Sequence, residues 1–196
     1  LYEHFASFKE TMDNGFETLK HINGIDYKTI LFDTTDSQKI NETNYTQPIL
    51  FLFEYALAKL FIEFGSIPNA MIGHSLGEYS ALVCSGVLDF SDAVLLVHKR
   101  GLYMQSAVAE GVGAMAAVLG LEDDVVEKIC ATTDGIVVAA NYNCPGQLVI
   151  SGEIDAVNRA CEALKEEGAR RALVLPVGGA FHSPMMEPAR EELAAA

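Results

Sequence analysis

Gly73-His74-Ser75-Leu76-Gly77 is the segment whose residue types and spacing are best suited to covalent chemistry. A serine between two glycines fits a nucleophile elbow when a strand precedes it and a helix follows. Apolar Ile67–Ile72 reads as a short buried strand, residues 75–85 as a helix, and Gly86 as its C-terminal stop. The glycines would let the backbone turn sharply and keep side chains off Ser75. The helix N-terminus would set backbone N–H groups beside the place where an oxyanion forms. The competing reading is a glycine-rich turn around an inert serine.

A serine nucleophile needs a base. His182 is the best candidate, in the glycine-rich loop Gly178-Gly179-Ala180-Phe181-His182-Ser183-Pro184 after a strand. His4 and His21 fall in the first helix, His98 is mid-helix, and His74 is adjacent to Ser75, so its side chain points away. A loop histidine can equally be a surface or capping residue. Nearly all the acids between Ser75 and His182 sit at helix starts or on polar helix faces, and none stands alone at a strand end before His182. That pattern favours a Ser–His dyad over a triad. Arg100 is the other conspicuous residue. On a helix over 91–109 it falls beside Leu96, Val97, Tyr103 and Met104, toward the apolar side, where a guanidinium needs a partner. It could hold a ligand carboxylate in a bidentate fork. Helix position alone leaves open a structural ion pair with an internal acid such as Glu78.

The elements that must position these groups follow from periodicity. Leu1, Phe5, Phe8, Met12, Phe16 and Leu19 recur at helical spacing and predict a first helix over 1–22. Further helices are expected over 47–64, 75–85 and 91–109, the last capped by Ser91-Asp92 and ended by Gly111. From Gly113 the chain changes character. Gly113–Leu121, Ile136–Ala140, Gln147–Ser151 and Ala172–Val177 read as strands, and Glu122–Thr132 and Ile154–Glu167 as helices. The stretch 141–146 reads as a polar turn. The order is βαββαβ, the ferredoxin-like motif.

Composition narrows the function classes. The chain has 196 residues, 50% of them hydrophobic and 20% charged, enough for a real core in one or two domains. Its net charge of −14 argues against nucleic acid. Apolar runs such as Ile49–Leu60 are too short and interrupted to span a membrane. Cys84, Cys130, Cys144 and Cys161 lack metal-ligand spacing and read as reduced cytoplasmic thiols, and the five histidines offer no metal site. No signal peptide is recognised. The chain opens on Leu1 rather than Met, so a natural start elsewhere is expected.

Four motifs in order carry a family resemblance: Tyr45–Pro48, Gly73–Ala81, Asn141–Gly152 and Phe181–Pro184. They closely resemble the malonyl-CoA:acyl carrier protein transacylases and the related acyltransferase domains of polyketide and fatty acid synthases. The resemblance runs from Leu1 to about Ala189. It implies an α/β fold, with an α/β-hydrolase-like core over 1–112 and 179–196 and an inserted ferredoxin-like subdomain over 113–178. It implies that Ser75 is the nucleophile, His182 the base and Arg100 the grip on the malonyl carboxylate. Gln47 and Asn143 match positions near the pocket, and the Leu76 N–H matches one oxyanion donor. Phe181 resembles the malonyl-selective form, where methylmalonyl-type domains carry a smaller serine.

The family also has an opening strand with a Gly-Gln-Gly-x-Gln loop, and further elements after His182. Against that pattern the chain reads as truncated at both ends. The resemblance implies malonyl transfer to acyl carrier protein in fatty acid synthesis, with malonyl-CoA as substrate and no bound cofactor. The expected protein is a cytoplasmic monomer without nucleic acid or membrane partners. The rivals are a polyketide-synthase acyltransferase domain, a serine esterase, and a non-catalytic scaffold. Arg100 with Phe181 is what an ordinary esterase does not need.

Overall fold

The computed structural model describes residues 1–33, 35 and 38–196. They form two compact units, Leu1–Leu102 (with Ala196) and Tyr103–Ala195.

Among its described residues the first unit is helical. Helix α1 (Ala6–Asn23) buries Phe8, Met12, Phe16 and Leu19, the stripe that periodicity selects. It starts later than expected: Leu1–Phe5 is a turn, which leaves His4 outside the helix. Gly24 at φ 75° closes its C-terminus, with its N–H donating to the Lys20 carbonyl. A short helix α2 (Tyr27–Phe32), capped by Asp26, and a 3₁₀ turn (Lys39–Asn41) follow, and neither has a clear periodic signal. Helix α3 (Thr43–Glu63) begins a turn before the expected start, so Pro48 lies inside it rather than in its first turn. Pro48 has no N–H to offer the Asn44 carbonyl. The turn before it is held partly by the Thr46 hydroxyl, which donates to the Glu42 carbonyl at 2.9 Å. Helix α4 (Gly77–Cys84) and helix α5 (Phe90–Ser106), as far as Leu102, complete the unit. Asp89, not Ser91-Asp92, serves the start of α5: its Oδ1 accepts from the Ser91 N–H at 2.8 Å and its carbonyl from the Ala93 N–H. The core gathers Met12, Leu19, Phe51, Leu52, Val94 and Val97.

The expected buried strand over Ile67–Ile72 is not formed. The segment is irregular with a bend at Asn69, and among the described residues no neighbouring strand supplies a ladder. Its apolar side chains face outward, with Ile67 75% and Ile72 98% exposed. An open groove of about 850 Å³ runs along it, lined by Ile62, Ile67, Met71, Ala81, Leu82 and Cys84 among others, and not by Ser75 or Arg100.

The second unit carries a four-stranded antiparallel sheet in the order β2-β3-β1-β4: β1 (Gly113–Leu119), β2 (Val137–Cys144), β3 (Gln147–Glu153) and β4 (Arg171–Val174). Strand β1 pairs with β3 from Gly113↔Glu153 to Leu119↔Gln147, and with β4 from Ala116↔Val174 to Leu119↔Arg171. Helices α6 (Asp123–Thr132) and α7 (Ile154–Glu166) pack on it. Helix α7 buries Ala156, Val157, Ala160, Cys161 and Leu164 at helical spacing. The stretch 141–146 is mostly strand, because β2 continues to Cys144 and only Pro145-Gly146 turns. Polar side chains did not prevent pairing, since β2 is half-buried after Val137 and exposed over Tyr142–Cys144. The register shifts between Ala139 and Asn141 and between Tyr142 and Cys144 leave Ala140 and Asn143 as the extra residues.

A 3₁₀ turn (Pro184–Met186) and helix α8 (Glu187–Ala194) end the described chain. All four cysteines are free thiols, and burial pushes Cys130 up to about 11. Among the described residues no helix is long and apolar enough to cross a membrane.

Candidate active site

The turn that presents Ser75 is built by its neighbours. Ser75 adopts φ 52°, in the left-handed region that a side chain rarely enters. Gly73 makes that turn possible. A Cβ there would lie 2.2 Å from the backbone of Gly77 and Glu78, so no larger residue fits. Gly77 is different, since a Cβ there meets nothing within 4 Å among the described residues. Its lack of a side chain is therefore not a packing requirement of the turn. The Gly77 and Glu78 N–H groups close on the His74 and Ser75 carbonyls. The Leu76 N–H, next to them, has no backbone acceptor among the described residues and opens α4. Helix α4 is anchored to α3 by the Ser80 hydroxyl, which donates to Glu54 at 2.5 Å.

Around Ser75 the first unit assembles Gln47, Leu76, Tyr79 and Arg100. Arg100 is only 9% exposed on the inner side of α5. Its Nη1 donates to Gln47 Oε1 and its Nη2 to Ser75 Oγ at 3.0 Å. Its guanidinium carbon lies 5.9 Å from the centre of the Tyr79 ring. The ion pair with Glu78 that helix position left open is not formed: Glu78 is exposed, and among the described residues no carboxylate approaches Arg100 within 4 Å. Burial pushes its pKa down, while Tyr79 and Glu78 pull it back up. Arg100 is therefore a buried cation held by neutral groups. Such an arrangement is costly unless an anion completes it.

Gly101 brings Arg100 to Gln47, and sequence reasoning missed it. A Cβ there would lie 3.1 Å from Asn44 Cα and from the Thr43 carbonyl, so α5 meets the first turn of α3 almost backbone to backbone. A glycine immediately after a helical arginine was the available signal. Tyr79 was missed as well, because an aromatic residue in an apolar helix reads as core.

His182, Phe181 and Asn143 belong to the second unit. His182 is exposed at φ 59°. Among the described residues, Ser75 and His182 are the only non-glycine residues with positive φ. Holding a residue there costs about 1–3 kcal/mol, and such strain clusters at functional sites. The turn is locked by Ser183, whose buried hydroxyl donates to the Ala180 carbonyl at 2.7 Å and accepts from the Met185 N–H at 3.2 Å. Pro184 holds Ser183 extended, at φ −105° and ψ 169°. His-Ser-Pro was thus a legible turn signal. Phe181 is half-buried, and Asn143 is the exposed extra residue of the second bulge in β2.

Comparison with known proteins shows which family the chain is similar to. The chain is 50% identical over 161 residues to the malonyl CoA-acyl carrier protein transacylase of Escherichia coli K12, covering 81% of this chain and 52% of that protein. It is 43% identical over 196 residues to the Bacillus subtilis protein of the same name, covering 98% and 60%. Among solved structures, FabD from Acinetobacter baumannii superposes with a TM-score of 0.90 at 40% identity, over 98% of this chain and 60% of that one. A malonyl-transacylase in complex with a type II polyketide acyl-carrier protein superposes at 0.87 and 41% identity, over 95% and 61%. The chain thus spans roughly half to three-fifths of the length of the relatives it matches. The acyl transferase domain family matches residues 1–196 throughout, and this chain belongs to it.

Proposed function

We propose that the protein carrying this chain transfers a malonyl group from malonyl-CoA to the phosphopantetheine thiol of acyl carrier protein, through an ester on Ser75. The observation that carries this reading is Arg100, a buried cation without a carboxylate partner whose Nη2 is 3.0 Å from Ser75 Oγ. A thioester whose acyl group ends in a free carboxylate supplies the missing anion and brings its carbonyl to the serine at once.

In the proposed cycle His182 takes the Ser75 proton as Oγ attacks the thioester carbonyl. The Leu76 N–H stabilises the oxyanion, and one such donor contributes about 3 kcal/mol. CoA leaves as its thiol with the proton from His182. The carrier thiol then attacks the seryl ester, gives its proton to His182, and Ser75 is reprotonated as it leaves. Gln47 orients Arg100. By the family resemblance, Phe181 and Asn143 are assigned to substrate binding. No acid is assigned a catalytic role, so the pair is a dyad.

The fold proposed to support this is an α/β-hydrolase-like core over 1–112 and 179–196 with a ferredoxin-like insertion over 113–178. The antiparallel order β2-β3-β1-β4 with a helix after β1 and after β3 supports the second part. The location proposed is cytoplasmic, the functional form a monomer, and no cofactor, nucleic acid or membrane is involved.

The test is to incubate the full-length protein with radiolabelled malonyl-CoA and then digest it. Label is expected on the peptide containing Ser75 and on none in Ser75→Ala. His182→Ala should slow acylation by several orders of magnitude while malonyl-CoA still binds. Label on another peptide, or hydrolysis without transfer to the carrier thiol, overturns the reading.

A further inference from the structure

We propose that Tyr79 is a specificity-setting positioning residue. Its ring holds the Arg100 guanidinium in the orientation that favours acyl groups bearing a carboxylate. The inference rests on the malonyl-transfer reading above.

The argument is geometric. A guanidinium is a flat cation with donors around its rim and two bare faces. Two rim positions of Arg100 are fixed in plane, by Gln47 Oε1 and by Ser75 Oγ. In-plane bonds do not stop the group from tilting about the line that joins them. The Tyr79 ring lies under the guanidinium carbon, 5.9 Å from it, and opposes that tilt. The electron-rich ring face attracts the cation and also removes water from it.

Tyr79 is well placed for this. It is the third residue of α4, one turn after Ser75, on the helix that Ser80 and Glu54 pin to α3. It is half-buried and packed against the first unit's core, so its ring has little freedom. Among the described residues its hydroxyl has no hydrogen-bond partner. The ring, not the hydroxyl, therefore does the positioning. A pure packing role would need any apolar side chain of suitable volume, whereas a role through Arg100 needs an aromatic face.

The experiment compares the full-length wild type with Tyr79→Phe, Tyr79→Leu and Tyr79→Met. It measures kcat/KM for acyl-enzyme formation from malonyl-CoA and from acetyl-CoA, which lacks the carboxylate. Wild type and Tyr79→Phe are expected to share the same malonyl-to-acetyl ratio within about twofold. Tyr79→Leu and Tyr79→Met should lose about tenfold of that ratio, chiefly through KM for malonyl-CoA. Loss of folded protein lowers both substrates together and leaves the ratio intact, so the ratio separates positioning from packing. Met, which is flexible, keeps the comparison open if the Leu variant does not fold. The proposal is overturned if the aliphatic variants keep the wild-type ratio, or if Tyr79→Phe loses as much as they do. A wild type that does not prefer malonyl-CoA instead overturns the parent reading, a result visible before any variant is made.

Discussion

At the residue scale, the first unit holds a positive charge out of water with neutral partners only. Gln47 is the member of that set that can be altered with least change in shape. Gln47→Glu puts a carboxylate where an amide oxygen now accepts from Arg100. The buried cation then has an internal counter-ion, and a ligand carboxylate must compete with it. Stability and function are expected to move in opposite directions. The thermal midpoint should stay level or rise, while KM for malonyl-CoA rises by at least about tenfold, since bonds to charged groups contribute about 1.5–3 kcal/mol. Differential scanning calorimetry beside initial-rate kinetics checks both. A lower midpoint with unchanged KM would mean that Arg100 does not face the ligand. Cys130 and Cys161 give no comparable handle, because both are buried with raised pKa values.

At the element scale, α5 carries Arg100 and is tied to α1 and α2 through a buried histidine two residues earlier. The Ile25 N–H donates to Asn23 Oδ1 at 2.9 Å, which orients the amide. Asn23 Nδ2 then donates to the Tyr27 hydroxyl at 2.9 Å, and Tyr27 Oη lies 3.1 Å from His98 Nδ1. Asn23 Nδ2 also lies 3.5 Å from His98 Nε2, so both ring nitrogens face polar groups, and burial favours the neutral ring. Burial lowers its pKa below the ordinary 6.5. The sign follows: the unfolded chain binds this proton more readily than the folded one. The stabilisation is complete above the unfolded value and is lost as pH falls below about 6.5 toward the folded value.

Asp13 acts in a separate window. Partial burial raises its carboxyl, but hydrogen bonds from Lys28, Lys9 and Tyr2 lower it further, to about 2. Its contribution is lost only below about pH 4, as pH falls toward that value. Urea unfolding between pH 7 and 4.5 should therefore show a decline that His98→Gln flattens. A parallel decline in the variant would assign it to other groups.

At the scale of the whole molecule, charge is the dominant property. The chain carries −14, so long-range forces would oppose the proposed encounter with an acidic carrier protein. Local basic patches must overcome that. Arg170 and Arg171 are exposed where the chain enters β4, whereas Arg159 is engaged by the Asp134 carbonyl at 2.7 Å. Reversing Arg170 and Arg171 to Glu is expected to raise KM for the carrier protein severalfold and leave acylation by malonyl-CoA within about twofold of wild type. Steady-state kinetics with each substrate varied in turn decides it. An unaltered carrier KM would move the docking surface to other basic groups such as Lys99.

Much of this protein was legible in one dimension because its signals are local. The serine between glycines, the stripe of Phe8, Met12, Phe16 and Leu19, and the alternation of strands and helices after Gly113 each depend on neighbours within a few residues. The tertiary structure decided what depends on distant chain. Ile67–Ile72 has strand composition but no ladder among the described residues, because pairing needs a partner that composition cannot supply. Asn141–Cys144 looks like a turn but pairs, because β3 offers its edge. Helix position left an internal ion pair open for Arg100, and packing decided against it by putting Gln47, Ser75 and Tyr79 around the guanidinium and leaving Glu78 in solvent. Residue types are written in the chain, but the surroundings of a buried charge are made by helices brought together across long stretches of sequence.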